Sequence, residues 1–196
     1  MTFNDYRFRV YRSCRPDDEL ILVIVHGMME HGKRYFELAK FLQDNKISTY
    51  ILDLPGHGET GDLNKDFGHM DDDGWKHAIG CINEVVMSVS DSEKNIFLFG
   101  HSMGSFLAMQ IGSTNPFIKG LVLSGMTYPS YVSLRAGRML TDMLKLVSPR
   151  LSGWVFHKLT FFLCENSFKS DGSPFAWLSS DKTKVDDYSS DKYCGK

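Results

Sequence analysis

Leu20–Val25 reads LILVIV, six apolar residues in a row between Asp17-Asp18-Glu19 and His26-Gly27. A strand with one wet face alternates apolar and polar residues. A run with no polar member has both faces covered, the condition of a central strand in a parallel sheet. Further strands are predicted over residues 48–54, ended by Pro55-Gly56-His57-Gly58, over 95–99 and over 118–123. Between them the apolar residues fall at helical spacing. Tyr35, Phe36, Leu38, Ala39, Phe41 and Leu42 mark a helix over 33–45, and Trp75, Ala78, Ile79, Ile82, Val85, Val86 and Val89 mark a second. Residues 105–111 predict a third, closed by Gly112 and Pro116. Strand and helix alternating in this way predict an α/β chain, a mostly parallel sheet with helices on both faces. One more strand is expected over 6–11, and the polar stretch 59–73 is expected as a surface loop. The alternating ligand pattern of a calcium loop is absent from Asp71-Asp72-Asp73, which therefore reads as a solvated turn before a helix.

After Met126 the pattern changes. Residues 133–147 and 154–164 are apolar at helical spacing and no further strand follows. This divides the chain into 1–126, the sheet-bearing part, and 127–196, a helical insertion. The insertion reads either as a small packed subdomain or as a lid over an apolar site.

Composition excludes several functions. The net charge is −2 with no block of Lys or Arg, which argues against a dedicated nucleic-acid binder. Cys14, Cys81, Cys164 and Cys194 form no CxxC pair and no metal spacing, so unpaired thiols are expected. The start lacks an apolar leader core, and no run of about 18 apolar residues would span a membrane. The expectation is a cytoplasmic protein with at most peripheral membrane contact and no obligate protein partner.

The chemistry lies in Gly100-His101-Ser102-Met103-Gly104, a G-x-S-x-G pattern between a predicted strand and a predicted helix. In that context the turn is sharp, the serine is strained, and side chains at the glycines would collide with the neighbouring elements. The hydroxyl of Ser102, the candidate nucleophile, is lifted to the carboxyl ends of the strands, at a helix N-terminus whose dipole favours developing negative charge. Upstream, His26-Gly27-Met28-Met29-Glu30-His31 follows the first long strand. The backbone N–H groups of Met28 and Met103 are the candidate oxyanion donors. His26, Gly27, Gly100, His101 and Gly104 are read as support for the elbow and loop. His26 and His31 are five apart with Glu30 adjacent, which is not HExxH, so no metal is assigned. His26 is expected to brace the loop and His31 to start the helix. The Gly56-His57-Gly58 turn is expected to be structural.

His26-Gly27-Met28-Met29-Glu30-His31, Arg34-Tyr35, Asp53-Leu54-Pro55-Gly56-His57-Gly58 and Gly100-His101-Ser102-Met103-Gly104-Ser105 together resemble the monoglyceride lipase and lysophospholipase group of α/β hydrolases, of the serine aminopeptidase S33 type. Trp177-Leu178-Ser179-Ser180-Asp181, Val185, Tyr188 and Cys194-Gly195 are similar to the end of the cap segment in bacterial members. The resemblance implies an α/β-hydrolase fold with a helical cap, and hydrolysis of carboxylic esters by a Ser–Asp–His triad without metal or organic cofactor. Its substrates would be small acyl esters or lipids, monoacylglycerols or lysophospholipids. The implied acid and histidine follow strands beyond the cap. No residue here matches them, and the only histidine after Ser102 is His157, inside the cap pattern. The fold is therefore expected to be incomplete, truncated at its C-terminal end, with impaired activity. The alternative is a catalytically inactive lipid-binding remnant. Two further expectations follow: the 118–123 strand lies unpaired at the sheet edge, and the N-terminus shows one strand where the family generally has a hairpin.

Overall fold

The computed structural model describes residues 1–70, 73–128, 130–131, 135–139, 142, 162, 166 and 172–195. They fall into two compact units, one of Met1–Met126 with Lys192–Lys196, the other of Thr127–Asp191. The last five residues thus group with the first unit.

The first unit is built on a five-stranded sheet of order β3-β5-β4-β6-β7, where β3 is Val10–Ser13, β4 Leu20–Val25, β5 Ile47–Leu52, β6 Asn95–His101 and β7 Ile118–Ser124. The strands β5, β4, β6 and β7 are parallel, and β3 runs antiparallel to β5. The uninterrupted apolar run of β4 is explained by its place at the centre, with β5 on one side and β6 on the other. Ile21, Val23 and Val25 point into one core layer with Leu52, Ile96 and Leu98. That layer is closed by Ala78, Cys81, Ile82, Val85, Val86 and Val89 of helix α3 (Gly74–Val89) and by Leu107, Ala108 and Ile111 of α4 (Met103–Gly112). Leu22 and Ile24 point the other way, to Ile51, Phe99 and the α1 residues Leu38, Ala39 and Leu42 (α1, Phe36–Asp44). Each fully buried Val, Leu or Ile contributes about 1.5–3 kcal/mol of transfer free energy, so the two layers set the register of every central strand.

Several boundaries differ from expectation. The predicted 6–11 strand is split. Thr2–Phe3 (β1) pairs with Tyr6–Arg7 (β2) across Asn4 and Asp5, both at positive φ, the residue types a two-residue hairpin turn prefers. The chain then breaks at buried Phe8 before β3 resumes. A short hairpin is therefore present as well as a strand. The expected 59–73 loop contains helix α2 (Gly58–Asn64). Its sequence carries no apolar period. The helix start is held instead by a tertiary contact, the Glu59 N–H donating to Asp53 Oδ2 at 2.8 Å. Asp71 and Asp72 lie outside the described residues. Asp73 starts α3 and pairs with Lys76 at 2.6 Å.

Among the described residues, strand β7 is the sheet edge, with Leu121, Val122 and Leu123 all exposed. Cys14, Cys81 and Cys194 form no disulfide, and Cys164 lies outside the described residues.

In the second unit, residues 135–139 are helical, and Ala176–Leu178 forms a 3-10 turn before helix α5 (Lys182–Ser190). Asp181 caps α5 by accepting from the Thr183 N–H at 2.9 Å. Phe175 packs edge-on against Tyr188 at 5.1 Å. Most of the helices expected over 133–147 and 154–164, with His157, lie outside the described residues. Among the described residues, no helix is long and apolar enough to cross a membrane.

Candidate active site

The parallel register gathers the candidate site. Val25 lies opposite both Leu52 and Gly100, and His101 lies opposite Ser124. The four strands therefore end together, and the loops that follow them share one edge of the sheet, where open α/β sheets take their ligands.

Strand β6 extends two residues past the predicted end, and α4 starts two residues before the predicted start. Only Ser102 is left to make the turn. It sits at φ 49° and ψ −117°, a region that costs a non-glycine residue about 1–3 kcal/mol. Neighbouring backbone enforces this geometry. The Ser102 N–H donates to Ser124 O at 2.8 Å, and the Ser105 hydroxyl and N–H both donate to Ser102 O, at 2.5 and 2.9 Å. A Cβ at Gly100 would run into the Gly104 carbonyl, and a Cβ at Gly104 into the carbonyls of Val25 and His26. The glycines thus allow β4, β6 and α4 to approach until backbone meets backbone.

The 26–31 loop lies directly against the serine. A methyl built on Gly27 would stand 3.1 Å from Ser102 Cβ and 3.0 Å from Glu30 Oε1. The Glu30 carboxylate, buried to 4% exposure, accepts from the Gly27 N–H at 2.6 Å, from the Tyr35 hydroxyl at 2.9 Å and from Arg34 at 2.5 Å. Burial pushes this carboxyl upward. The His26 ring, the Arg34 guanidinium and the Gly27 N–H outweigh burial and hold it below the usual carboxylate range. Asp53 fastens the next turn, accepting from the Gly32 N–H at 2.7 Å and the Tyr11 hydroxyl at 3.0 Å in addition to Glu59.

This chain also matches known proteins along most of its length. A family profile described as serine aminopeptidase, S33, covers residues 16–196. The chain belongs to the serine aminopeptidase S33 family. Among curated relatives, the monoglyceride lipase of Mus musculus is 26% identical over 195 residues, covering 95% of this chain and 56% of the lipase. Phospholipase YtpA of Bacillus subtilis is 29% identical over 116 residues, 58% of this chain and 42% of the phospholipase. The chain thus spans about half the length of the curated relatives it matches. Among solved structures, a thermostable carboxyl esterase from Bacillus coagulans superposes with a TM-score of 0.84 at 20% identity, over 100% of this chain and 65% of the esterase. The monoacylglycerol lipase of Paleococcus ferrophilus gives 0.64 at 23% identity, over 96% and 64%. These structures establish the α/β-hydrolase fold.

The other residues singled out in the sequence take their places around the elbow. His26 is fully buried beneath its loop. Its Nε2 accepts from the Leu54 N–H at 3.0 Å, which leaves the proton on Nδ1 to donate to Gly27 O at 2.7 Å. Both ring nitrogens are consumed within the protein, so His26 offers no ligand atom to a metal. His57 lies 5.2 Å away, ring to ring. Burial pushes both imidazoles down to about 4, and the neighbouring His31 adds to this at His26, as His26 does at His57. They are neutral at pH 7. His31 precedes the 3-10 turn Gly32–Tyr35, as expected, and Gly56 and Gly58 take positive φ. His101 Nδ1 sits 3.3 Å from Ser124 Oγ, so its ring faces β7.

Among the described residues, no side chain hydrogen-bonds the Ser102 hydroxyl. The structure therefore brings together Ser102, Gly27, Gly100 and Gly104, with Met28 and Met103 adjoining, and leaves His26 and His101 on other duties. Sequence reasoning assigned no role to Glu30 or Asp53. For Glu30 a signal existed: Arg34 stands four residues on, the spacing of a helical ion pair. Asp53 had none, because its partners come from three separate segments.

Proposed function

We propose that this chain carries the nucleophile and oxyanion machinery of a carboxylic ester hydrolase, with Ser102 as nucleophile and monoacylglycerols or lysophospholipids as the substrate class. The observation that carries this reading is the Ser102 backbone, strained at φ 49° between β6 and α4 and faced by Gly27. A serine held there is carried to the carboxyl ends of the strands at the expense of stability, which a purely structural turn has no reason to keep. In the reaction, Ser102 Oγ adds to the ester carbonyl as its hydroxyl proton passes to solvent. Collapse of the adduct breaks the ester C–O bond, releases the alcohol, protonated by solvent, and leaves an acyl-serine that water hydrolyses to the free acid and Ser102. The N–H groups of Met28 and Met103 receive the developing oxyanion, aided by the N-terminal dipole of α4. Losing one such donor costs about 3 kcal/mol in the barrier. The relatives named as monoglyceride lipases and a phospholipase support lipid esters as the substrate class.

A second reading, a lipid-binding chain without turnover, is favoured by the absence of a described partner at the Ser102 hydroxyl, since an unassisted serine is a weak nucleophile at neutral pH. One experiment separates the two. The chain and its Ser102→Ala variant are incubated with a monoacylglycerol and with a short-chain nitrophenyl ester. Ester cleavage by the wild type that vanishes in the variant supports the hydrolase. Equal rates in both, together with calorimetric binding of the monoacylglycerol, support the binder.

A further inference from the structure

The chain returns to the first unit at its last described residues. Residues 127–191 form a separate unit, yet Lys192–Lys196 group with Met1–Met126. Their contacts converge on the loop that lies against Ser102. The Gly195 N–H donates to Met29 O at 3.1 Å. The Tyr193 ring packs on His31 at 5.3 Å and on Phe67 at 5.5 Å. Its hydroxyl donates to Asp62 Oδ2 on α2 at 2.5 Å. Lys192 Nζ reaches the same carboxylate oxygen at 3.1 Å and lies 4.2 Å from the centre of the Tyr193 ring. Cys194 between them is buried.

The position of these contacts along the loop matters more than their number. Met29 is at φ 61°, so its peptide groups are held where an L-residue does not settle unaided. The loop is pinned on one side of Met28 by the bond from Gly27 N to Glu30, and on the other by the bond from Gly195 N to Met29 O. The Met28 N–H lies between the two pins. The first pin is local to the loop. The second comes from a distant part of the chain, and it is made only when residues 192–195 are seated.

We propose that residues 192–195 are a clamp on the 26–31 loop, and that Tyr193 is a positioning residue for the Met28 N–H. The importance of that N–H rests on the oxyanion reading above; the clamp itself does not. The aromatic seat on His31 and Phe67 holds the clamp. The Lys192–Asp62 pair is solvent-exposed, and such pairs add little. Loosening Tyr193 breaks the bond from Gly195 N to Met29 O and lets the loop move away from Ser102, while the sheet beneath it stays intact.

Hydrogen exchange on the full chain tests this. The reporters are the Gly27 and Gly32 amides, bonded to Glu30 and Asp53, with β6 amides as the internal reference. In Tyr193→Ala both loop amides are expected to exchange about tenfold faster, as for a local opening, with β6 unchanged. Tyr193→Phe keeps the ring and is expected to restore wild-type exchange. Replacing the Cys194–Gly195 amide by an ester, through semisynthesis of the C-terminal residues, deletes the donor without touching the ring or the left-handed φ of 69° at Gly195, and is expected to reproduce the acceleration. Unchanged loop exchange in Tyr193→Ala and in the ester-substituted chain overturns the clamp. Equal acceleration in β6 also overturns it, because Tyr193 would then support the whole fold. The rate at which a fluorophosphonate labels Ser102 is read in parallel and is expected to fall in Tyr193→Ala and recover in Tyr193→Phe. A wild type that is never labelled at Ser102 counts against the nucleophile reading, and the exchange result still decides the clamp.

Discussion

The amide of Gly27 and the carboxylate of Glu30 are joined by a 2.6 Å hydrogen bond directly behind Ser102. This makes the loop's shape depend on a buried acid. Glu30→Ala leaves the Gly27 N–H and the Tyr35 hydroxyl without their acceptor, at a cost of about 1–3 kcal/mol for each buried group. Glu30→Gln keeps an acceptor oxygen and loses only the charge toward Arg34, so its loss is expected to be smaller. Urea unfolding of the two variants checks the order. A Glu30→Ala protein as stable as wild type would show that the bond is dispensable.

Two neutral histidines, His26 buried and His57 half-buried, make stability fall on the acid side of neutrality. His26 and His57 titrate near 4 when folded and near 6.5 when unfolded. Between those values the unfolded chain binds protons that the folded chain does not. The histidine contribution is therefore complete above about pH 6.5 and drains away toward pH 4, by at most about 1.4 kcal/mol per pH unit for each ring. Protonation of His26 would also set an Nε2–H against the Leu54 N–H it now accepts. Asp53, whose carboxyl burial raises, works in the opposite sense, so His57→Gln is needed to isolate the histidine part. The urea midpoint is expected to drop from pH 7 to pH 5, and by less in His57→Gln. Identical pH profiles for the two proteins would exclude His57 as a source.

Ser102 trades stability for position. Glycine takes a positive φ without steric cost, so Ser102→Gly is expected to stabilise the fold by about 1 kcal/mol even after its extra unfolded-state entropy is counted. Ser102→Ala keeps the strain and is expected to be close to neutral. A Ser102→Gly protein less stable than wild type in chemical denaturation would mean that the turn is not strained.

The apolar edge strand β7 predicts self-association. Leu121, Val122 and Leu123 are exposed on a strand that, among the described residues, has no neighbour on its outer side, the combination that invites edge-to-edge pairing. Val122→Lys places a charge at the most exposed of the three, at 48%. Light scattering at rising concentration is expected to show association in the wild type and much less in the variant. Equal scattering would place the sticky surface elsewhere.

The strands were legible because burial on both faces writes an unmistakable pattern: Leu20–Val25 is observed at its predicted bounds. Pattern also located the turn at Ser102, through two glycines whose absent side chains let backbones touch. What stayed hidden was everything fixed by distant partners. Helix α2 has no apolar period and begins on the Asp53 carboxylate. The strand break at Phe8 and Arg9 follows from the Arg9 N–H turning to Thr60 Oγ1 at 2.9 Å. The contact of Gly195 with Met29 joins the two ends of the sequence, and no window on either one reveals it.

The central claim, that Ser102 is a nucleophile poised in its elbow, is tested most directly by covalent labelling. The chain is incubated with a fluorophosphonate, digested and mapped by mass spectrometry. A single adduct on the peptide containing Ser102, absent from Ser102→Ala, is the predicted result. No adduct after prolonged incubation, or an adduct that survives the substitution, would contradict it.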